Sequence, residues 1–433
     1  MDHARNNLFL VLLLLGIFMS CSRKPEEQVI KLLEEKYANL YINNETHKRE
    51  VIKELDEYLQ KKPIDDNNIE EIRQILNRIN DGHVVIFDGR KEKNLRFQSG
   101  LNFVKGAYEV RSCPTCSPVI PEDKYEIIGI DGLSLSEYLK KNHNTVAGST
   151  EWGRNYRLVR LLEESTSSTP VALKLKSTTG KVLSTMINWA PSQMQYKPCV
   201  SSERLKNNIY KLNIYNLWCD EGKDNVSREG VYENFKRQFD EATAGITDND
   251  RIVIDLRENG GGGDLEVEYT VNAFIEKPVM LYHYKYLRKT HPGKRKWIEK
   301  FWPFRLSLWS QDEYDYTRPI HRPKKTFYNA KIITMVSHGC FSSCESIASV
   351  LKEEKRTALV GSKTHGGAGD PVIFPLGETP FSINLPTCIT WQYKDHFYEG
   401  EGVMPQLVSE QDPKNKEDTV LKLAIDQVLK DKQ

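Results

Sequence analysis

Between Glu26 and Asn80 the apolar residues recur at helical spacing: Val29, Leu32 and Leu33, then Val51, Ile52, Leu55, Tyr58 and Leu59, then Ile69, Ile72, Ile75, Leu76 and Ile79. Pro63 and the "DDNN" of 65–68 punctuate the last two groups, so the pattern predicts a small helical region. From about Phe97 to Trp189 strand signals take over, in "AYEVRS", "YEIIGIDG" and a hairpin-like "VALKLKSTTGKVLSTMINW" that turns at Thr179 and Gly180. From Lys211 onward, strands alternate with amphipathic helices, which predicts α/β layers. One strand runs apolar from Ile252 to Leu256, breaks at Gly260–Gly263 and resumes helically through Val267, Val271, Phe274 and Ile275. A second ends at Val336 and leads through a loop into a helix with Cys344, Ile347, Ala348 and Leu351 on its inner face. Two such units present both loops at one edge of a single sheet.

The N-terminus changes the setting. Arg5 precedes an unbroken apolar run, Leu8–Met19, whose 12 residues rise about 1.5 Å each and cannot cross a hydrocarbon layer of roughly 30 Å. Residues 1–20 read as a signal peptide, and "FMSC" resembles a bacterial lipobox that would place a lipid anchor on Cys21. The expectation is an exported lipoprotein of the outer membrane, on its periplasmic or its surface side. Removing Cys21 leaves an odd set of cysteines, so at least one thiol is unpaired; "CPTC" at 113–116 reads as a loop disulfide or plain thiols, since no second C-x-x-C completes a zinc site.

With 433 residues the chain exceeds one ordinary domain, and 61 basic against 60 acidic side chains give it no field to gather nucleic acid. The aromatic and basic stretch at 277–330 has the interleaving of a single-strand binder. The near-zero net charge and export favour a solvated flap or substrate-facing cover instead.

Candidate chemistry concentrates in "SHGCFSSCE". No G-x-S-x-G elbow surrounds its serines. Ser342 opens the helix, so the peptide N–H of Ser343 points outward at the positive end of the helix dipole, and the glycines at 260–263 let a second backbone N–H approach. Two such donors outline an oxyanion hole. The competing reading is a capping box, Ser342 with Glu345.

Several motifs carry a family resemblance. "EDKYEIIGIDGLSLSEYL" (122–139) resembles part of a PDZ domain, a module that binds extended chain ends by strand addition. "VIDLRENGGG", "SSCE", "LVGSKTHGG" and "EGEGVMPQLV", with "NDGHV" at 80–84, resemble in order and spacing the tail-specific, C-terminal processing and tricorn-type serine peptidases. The resemblance implies a multidomain α+β protein: an N-terminal helical region (21–92), a PDZ-like β-rich domain (93–192) and a crotonase-like α/β peptidase core of ββα repeats (193–433) that carries the 277–330 insertion.

By the same resemblance Ser342 is the nucleophile, and the amides of Gly261 and Ser343 hold the oxyanion. Where processing proteases carry a Gly-Lys pair, Gly366-Gly367 stands here, so a Ser-Lys dyad is not expected and Lys363 reads as a surface residue. The tricorn-like branch implies a Ser-His-Glu site with His83 as base and Glu399 as its carboxylate, Glu401 being the alternative; His338 is the lesser candidate for the base. The expected activity is serine endopeptidase action on unstructured polypeptide, without metal or other cofactor. The alternative is a non-catalytic peptide- or lipophile-binding protein on the same fold. Glu258, Gln406 and Cys344 depart from the family pattern, and oligomeric state is left open.

Overall fold

The computed structural model describes residues 24–90, 97–165, 168–191, 197–223, 226–286, 312–316, 323–391, 399–412 and 414–430. Cys21, the signal segment and most of the aromatic and basic insertion lie outside them. The N-terminal periodicity becomes α1 (Pro25–Glu35), α2 (Glu45–Leu59) and α3 (Ile69–Asn77), followed by the short strand β1 (Val85–Asp88). The β-rich stretch holds β2 (Glu109–Ser112), β3 (Tyr125–Ile130), helix α4 (Glu151–Arg160), β4 (Val171–Ser177) and β5 (Val182–Ile187). Beyond it come β6 (Val200–Arg204), β7 (Ile209–Ile214), α5 (Arg228–Thr243), β8 (Arg251–Asp255) and α6 (Asp264–Phe274). Further along the chain come β9 (Lys331–Val336), α7 (Ser343–Glu353), β10 (Ala358–Gly361), β11 (Pro371–Pro375), β12 (Phe381–Pro386), β13 (Leu407–Val408) and α8 (Thr419–Leu429).

The central sheet has the order β6-β7-β8-β9-β10-β13, parallel from β7 onward, with β6 added antiparallel at one edge. Its inner strands are buried on both faces, which is why "RIVID" and "KIITMV" read as continuous apolar runs. Successive residues point to opposite faces. Ile252 and Ile254 pack with Phe235, Val267 and Ile347 of α5, α6 and α7, whereas Val253 and Met335 pack with Val420, Ala424 and Val428 of α8.

The β2–β5 strands form a separate antiparallel sheet with its own core of Val110, Ile127, Leu173 and Leu175. The turn after Ile130 uses Asp131 and Gly132 at positive φ, and the short helix Leu135–Lys141 begins with a Ser134–Glu137 capping box. Alternation alone does not reveal α4 inside this strand-rich stretch. It starts at Thr150, whose hydroxyl accepts from the Gly153 N–H, and it buries Arg154 and Tyr156.

A third sheet joins the chain ends. β1 pairs antiparallel with β12, Val85 opposite Asn384, and β12 pairs with β11. Leu376, Phe381, Ile383 and Leu385 thereby complete the buried cluster of Val29, Leu33, Leu55 and Ile72. Residues some 300 positions apart share one core, as the side-chain bond from Asn384 Nδ2 to the His83 carbonyl illustrates (2.9 Å, 301 residues apart).

Under the C-terminal edge of the central sheet, Arg257 is fully enclosed and paired with Asp255 at 3.0 Å and Asp418 at 2.8 Å. Burial opposes the Asp255 charge, but Arg257, with Lys105 and Lys211, outweighs it and holds the carboxyl below its usual range. Asp418 also caps α8 by accepting from the Leu421 N–H. Arg257→Met leaves two carboxylates without this partner, and a loss of about 3–5 kcal/mol in chemical denaturation is expected.

Candidate active site

Ser342 sits where β9 hands over to α7, at φ 58° and ψ −127°. A non-glycine residue in that region costs of order 1–3 kcal/mol and persists only when its surroundings fix it. Three constraints do so. The Phe341 N–H donates to the Asn259 carbonyl at 3.0 Å, the Ser342 N–H donates to Glu345 Oε2 at 3.0 Å, and a buried Cys340–Cys344 disulfide closes the turn around the serine. The Ser342 hydroxyl stands 3.2 Å from His83 Nε2.

His83 belongs to the turn between α3 and β1. Gly82 is gripped on both sides: its N–H donates to Ser149 Oγ (2.8 Å) and its carbonyl accepts from Arg157 Nη1 (2.9 Å). The imidazole stacks on Phe341 with ring centroids 4.4 Å apart. Burial lowers its pKa to about 4, Asp81 opposing and Arg157 adding to that shift. The ring is therefore neutral at pH 7, the form that accepts a proton at Nε2.

On the other side of the ring, Asp81, His83 and Glu399 bring donor atoms within 4.8 Å of one another, all buried. Asp81 Oδ1 lies 3.9 Å from His83 Nδ1. Glu399 accepts the Ala368 N–H on Oε2 (3.0 Å) and makes no direct bond to the imidazole; among the described residues neither its Oε1 nor His83 Nδ1 has a hydrogen-bond partner. Burial, then Asp81, pushes the Glu399 carboxyl well above the ordinary range. Glu401 is exposed. The three donors form a set that a cation could grip, but Lys48 and Arg157 already place positive charge against both carboxyls, which disfavours one there.

Glu345 is the second buried carboxyl of the site. It accepts from the amides of Ser342, Gly366 and Gly367 and from the Thr364 hydroxyl, so it ties the Ser342 turn to the 364–367 loop. Burial pushes its pKa up to about 7 against the pull of those donors. The glycine loop corrects one expectation: the Gly261 N–H donates to Asn259 Oδ1 at 2.8 Å, so it is not aimed at the cleft. A Cβ on Gly261 would lie 2.7 Å from the Phe341 carbonyl, so the residue serves close approach. Gly262 and Ser343 line the cleft, about 790 Å³, together with Trp218, Asp264, Tyr284 and Asp370.

Residues 224–409 match the family model described as peptidase family S41. The chain carries a peptidase family S41 domain. Over 80 residues, 18% of this chain, it is 29% identical to a carboxy-terminal-processing protease of Bartonella bacilliformis, and the match spans 18% of that relative's length. The fold is similar to mature CPAF, with a TM-score of 0.64 at 15% identity over 94% of this chain and 98% of that one. A putative S41 protease from Bacteroides fragilis gives 0.50 at 14% identity, over 93% and 98%.

Ser342, Gly261, Ser343 and Glu399 lie within the matched S41 domain, and His83 lies outside it. His338 and His365 do not reach the serine: His338 Nδ1 bonds the Lys363 carbonyl at 2.6 Å, and His365 sits edge-on to Phe341. Lys363 lies over the Trp152 ring, 4.7 Å from its centroid. The three departures have structural uses. Glu258 reaches out of the S41 domain to Tyr156 and Arg160 of α4 and to the Gly106 amide, Gln406 accepts the Leu359 N–H, and Cys344 forms its disulfide. The "CPTC" motif is a disulfide, Cys199 pairs with Cys219, and Cys388 is buried with its Sγ 3.4 Å from the Thr390 hydroxyl. Asp81 went unread in the sequence, although its place two residues before His83 in the "DGH" turn is the signal that could have found it.

Glu345→Gln exchanges an acceptor for an amide that faces backbone donors. With charge-assisted bonds worth about 1.5–3 kcal/mol each, the variant is expected to melt several degrees lower and to lose reactivity at Ser342, read by thermal denaturation and serine-directed labelling.

Proposed function

We propose that the protein is a serine endopeptidase that cleaves unstructured polypeptide through an acyl-enzyme. The observation that carries this is the 3.2 Å approach of His83 Nε2 to Ser342 Oγ, between residues 259 positions apart. Ser342 attacks the scissile carbonyl while His83 takes its proton and later returns it to the leaving amine. The carboxyl groups of Asp81 and Glu399 back the imidazole. The Ser343 amide, at the start of α7, and the Gly262 amide, in place of that of Gly261, hold the oxyanion. Phe341, stacked on the imidazole, restricts the tilt of the ring.

The rest of the chain is assigned supporting roles. The 93–192 module is PDZ-like and aligns extended substrate; residues 21–92 supply the base; and residues 193–433 form a crotonase-like core. Export and a lipid anchor at Cys21 place the enzyme at the outer membrane.

Ser342→Ala and His83→Ala are each expected to lower peptide cleavage at least about a thousandfold with the fold intact. Retention of full activity by either variant would remove its residue from the mechanism. A fluorophosphonate probe is expected to label Ser342 in the wild type. Well-folded protein that stays unlabelled while holding a peptide or apolar ligand would instead be a binding protein on the same scaffold.

A further inference from the structure

The Ser-His pair leaves one question of charge: two buried carboxyl groups, Asp81 and Glu399, share the Nδ1 side of one imidazole. Their bonding differs. Every group that bonds Asp81 is a donor: Oδ1 accepts the His83 N–H (2.9 Å), and Oδ2 accepts from the Tyr37 hydroxyl and from Asn39 Nδ2 (both 3.0 Å). That pattern suits an ionised carboxylate, which can only accept. Glu399 is less fully served: Oε2 accepts the Ala368 N–H, the Ser149 hydroxyl also acts to favour its charge, and the enclosed Oε1 has no hydrogen-bond partner among the described residues. An oxygen so placed is better served by carrying a proton than by carrying charge.

We propose that Asp81, not Glu399, is the charged positioning residue for His83. The assignment rests on the reading of His83 as the base. The Asp81 carboxylate holds the backbone N–H of the same residue whose ring it faces at 3.9 Å, so ring and anion are fixed within a single turn. Two carboxyl groups this close in a buried site do not both ionise cheaply, and one of them stays protonated. The upward push on Glu399, from burial and then from Asp81, agrees with that division. Glu399 then acts as a neutral group that fills the space behind the ring and holds the Ala368 amide.

The other groups around the imidazole are accounted for. Arg157, from α4, lowers its affinity for a proton, and His365 acts on it across Phe341. Lys48 and Tyr37 stand behind the carboxyls, and Glu345 lies beneath the serine turn. Of these, only Asp81 raises the imidazole's proton affinity appreciably.

The test compares Asp81→Asn with Glu399→Gln in the full chain, by kcat and KM on a peptide substrate and by the pH profile of kcat/KM. Asp81→Asn is expected to lower kcat on the order of a hundredfold or more with KM within about threefold. Its acid limb should also move to lower pH, because the anion that favours the imidazolium is gone while the base still has to be neutral to work. Glu399→Gln is expected to cost no more than about tenfold and to leave the limb in place. The reverse order, or a Glu399→Gln loss equal to that of His83→Ala, overturns the assignment. If Asp81→Asn does not fold, the Glu399→Gln result decides alone. Fluorophosphonate labelling of the wild type separates the two levels: labelled wild type with the reverse order sinks only the Asp81 assignment, whereas unlabelled wild type sinks the enzyme reading beneath it.

Discussion

The antiparallel pairing of β1 with β12 is the constraint on which the site depends. An imidazole near residue 80 and a hydroxyl near residue 340 have no local reason to meet. The antiparallel register that sets Val85 opposite Asn384, and the Asn384 side chain on the His83 carbonyl, join the helical region to the hairpin beside the central sheet. The apolar side chains of both partners close one core, so separating them would expose Phe381 and Ile383 along with Leu33 and Leu55. Burial of that size makes the alignment a property of the fold rather than of a flexible loop.

Charge is handled in two ways around this frame. Beneath the sheet edge, Asp255, Arg257 and Asp418 form a fully paired assembly whose task is rigidity, since it joins the glycine loop to the cap of α8. Around the imidazole the balance is left incomplete, with two buried carboxyls, Lys48 and Arg157 brought together. Glu345 falls between these cases: it has four donors, with the Arg157 charge acting on it from farther off, and its pKa is raised to about 7. Such unevenness is what separates the affinities of neighbouring groups for protons, and acid–base chemistry at neutral pH draws on that separation.

Much of the architecture was legible because it is written in short-range pattern. The run Ile252–Leu256, the glycine break and the return to helical spacing gave β8, its loop and α6 directly, and the same plan gave β9 and α7. Ser342 and His83 were legible through motifs, and they stand within hydrogen-bonding distance. What escaped was long-range or geometric. Alternation could not reveal α4, whose helix is set by its Thr150 cap and by burial of Arg154 and Tyr156. Glycine spacing could not tell which amide of the loop Asn259 would occupy, because that depends on a side-chain rotamer. Proximity of Asp81 to the ring of its neighbour likewise follows from how one turn is folded, and a motif match to Glu399 carries no information about it.

The division of the machinery across the chain has a bearing on how the molecule can be dissected. The matched S41 segment, 224–409, contains the hydroxyl and one carboxyl but neither the imidazole nor the Asp81 turn. On the proposed mechanism it would by itself be a nucleophile without a proton relay, and the leading piece a relay without a nucleophile. Because β1 inserts as a discrete strand, the two pieces are natural partners for fragment complementation, and catalysis would report their reunion.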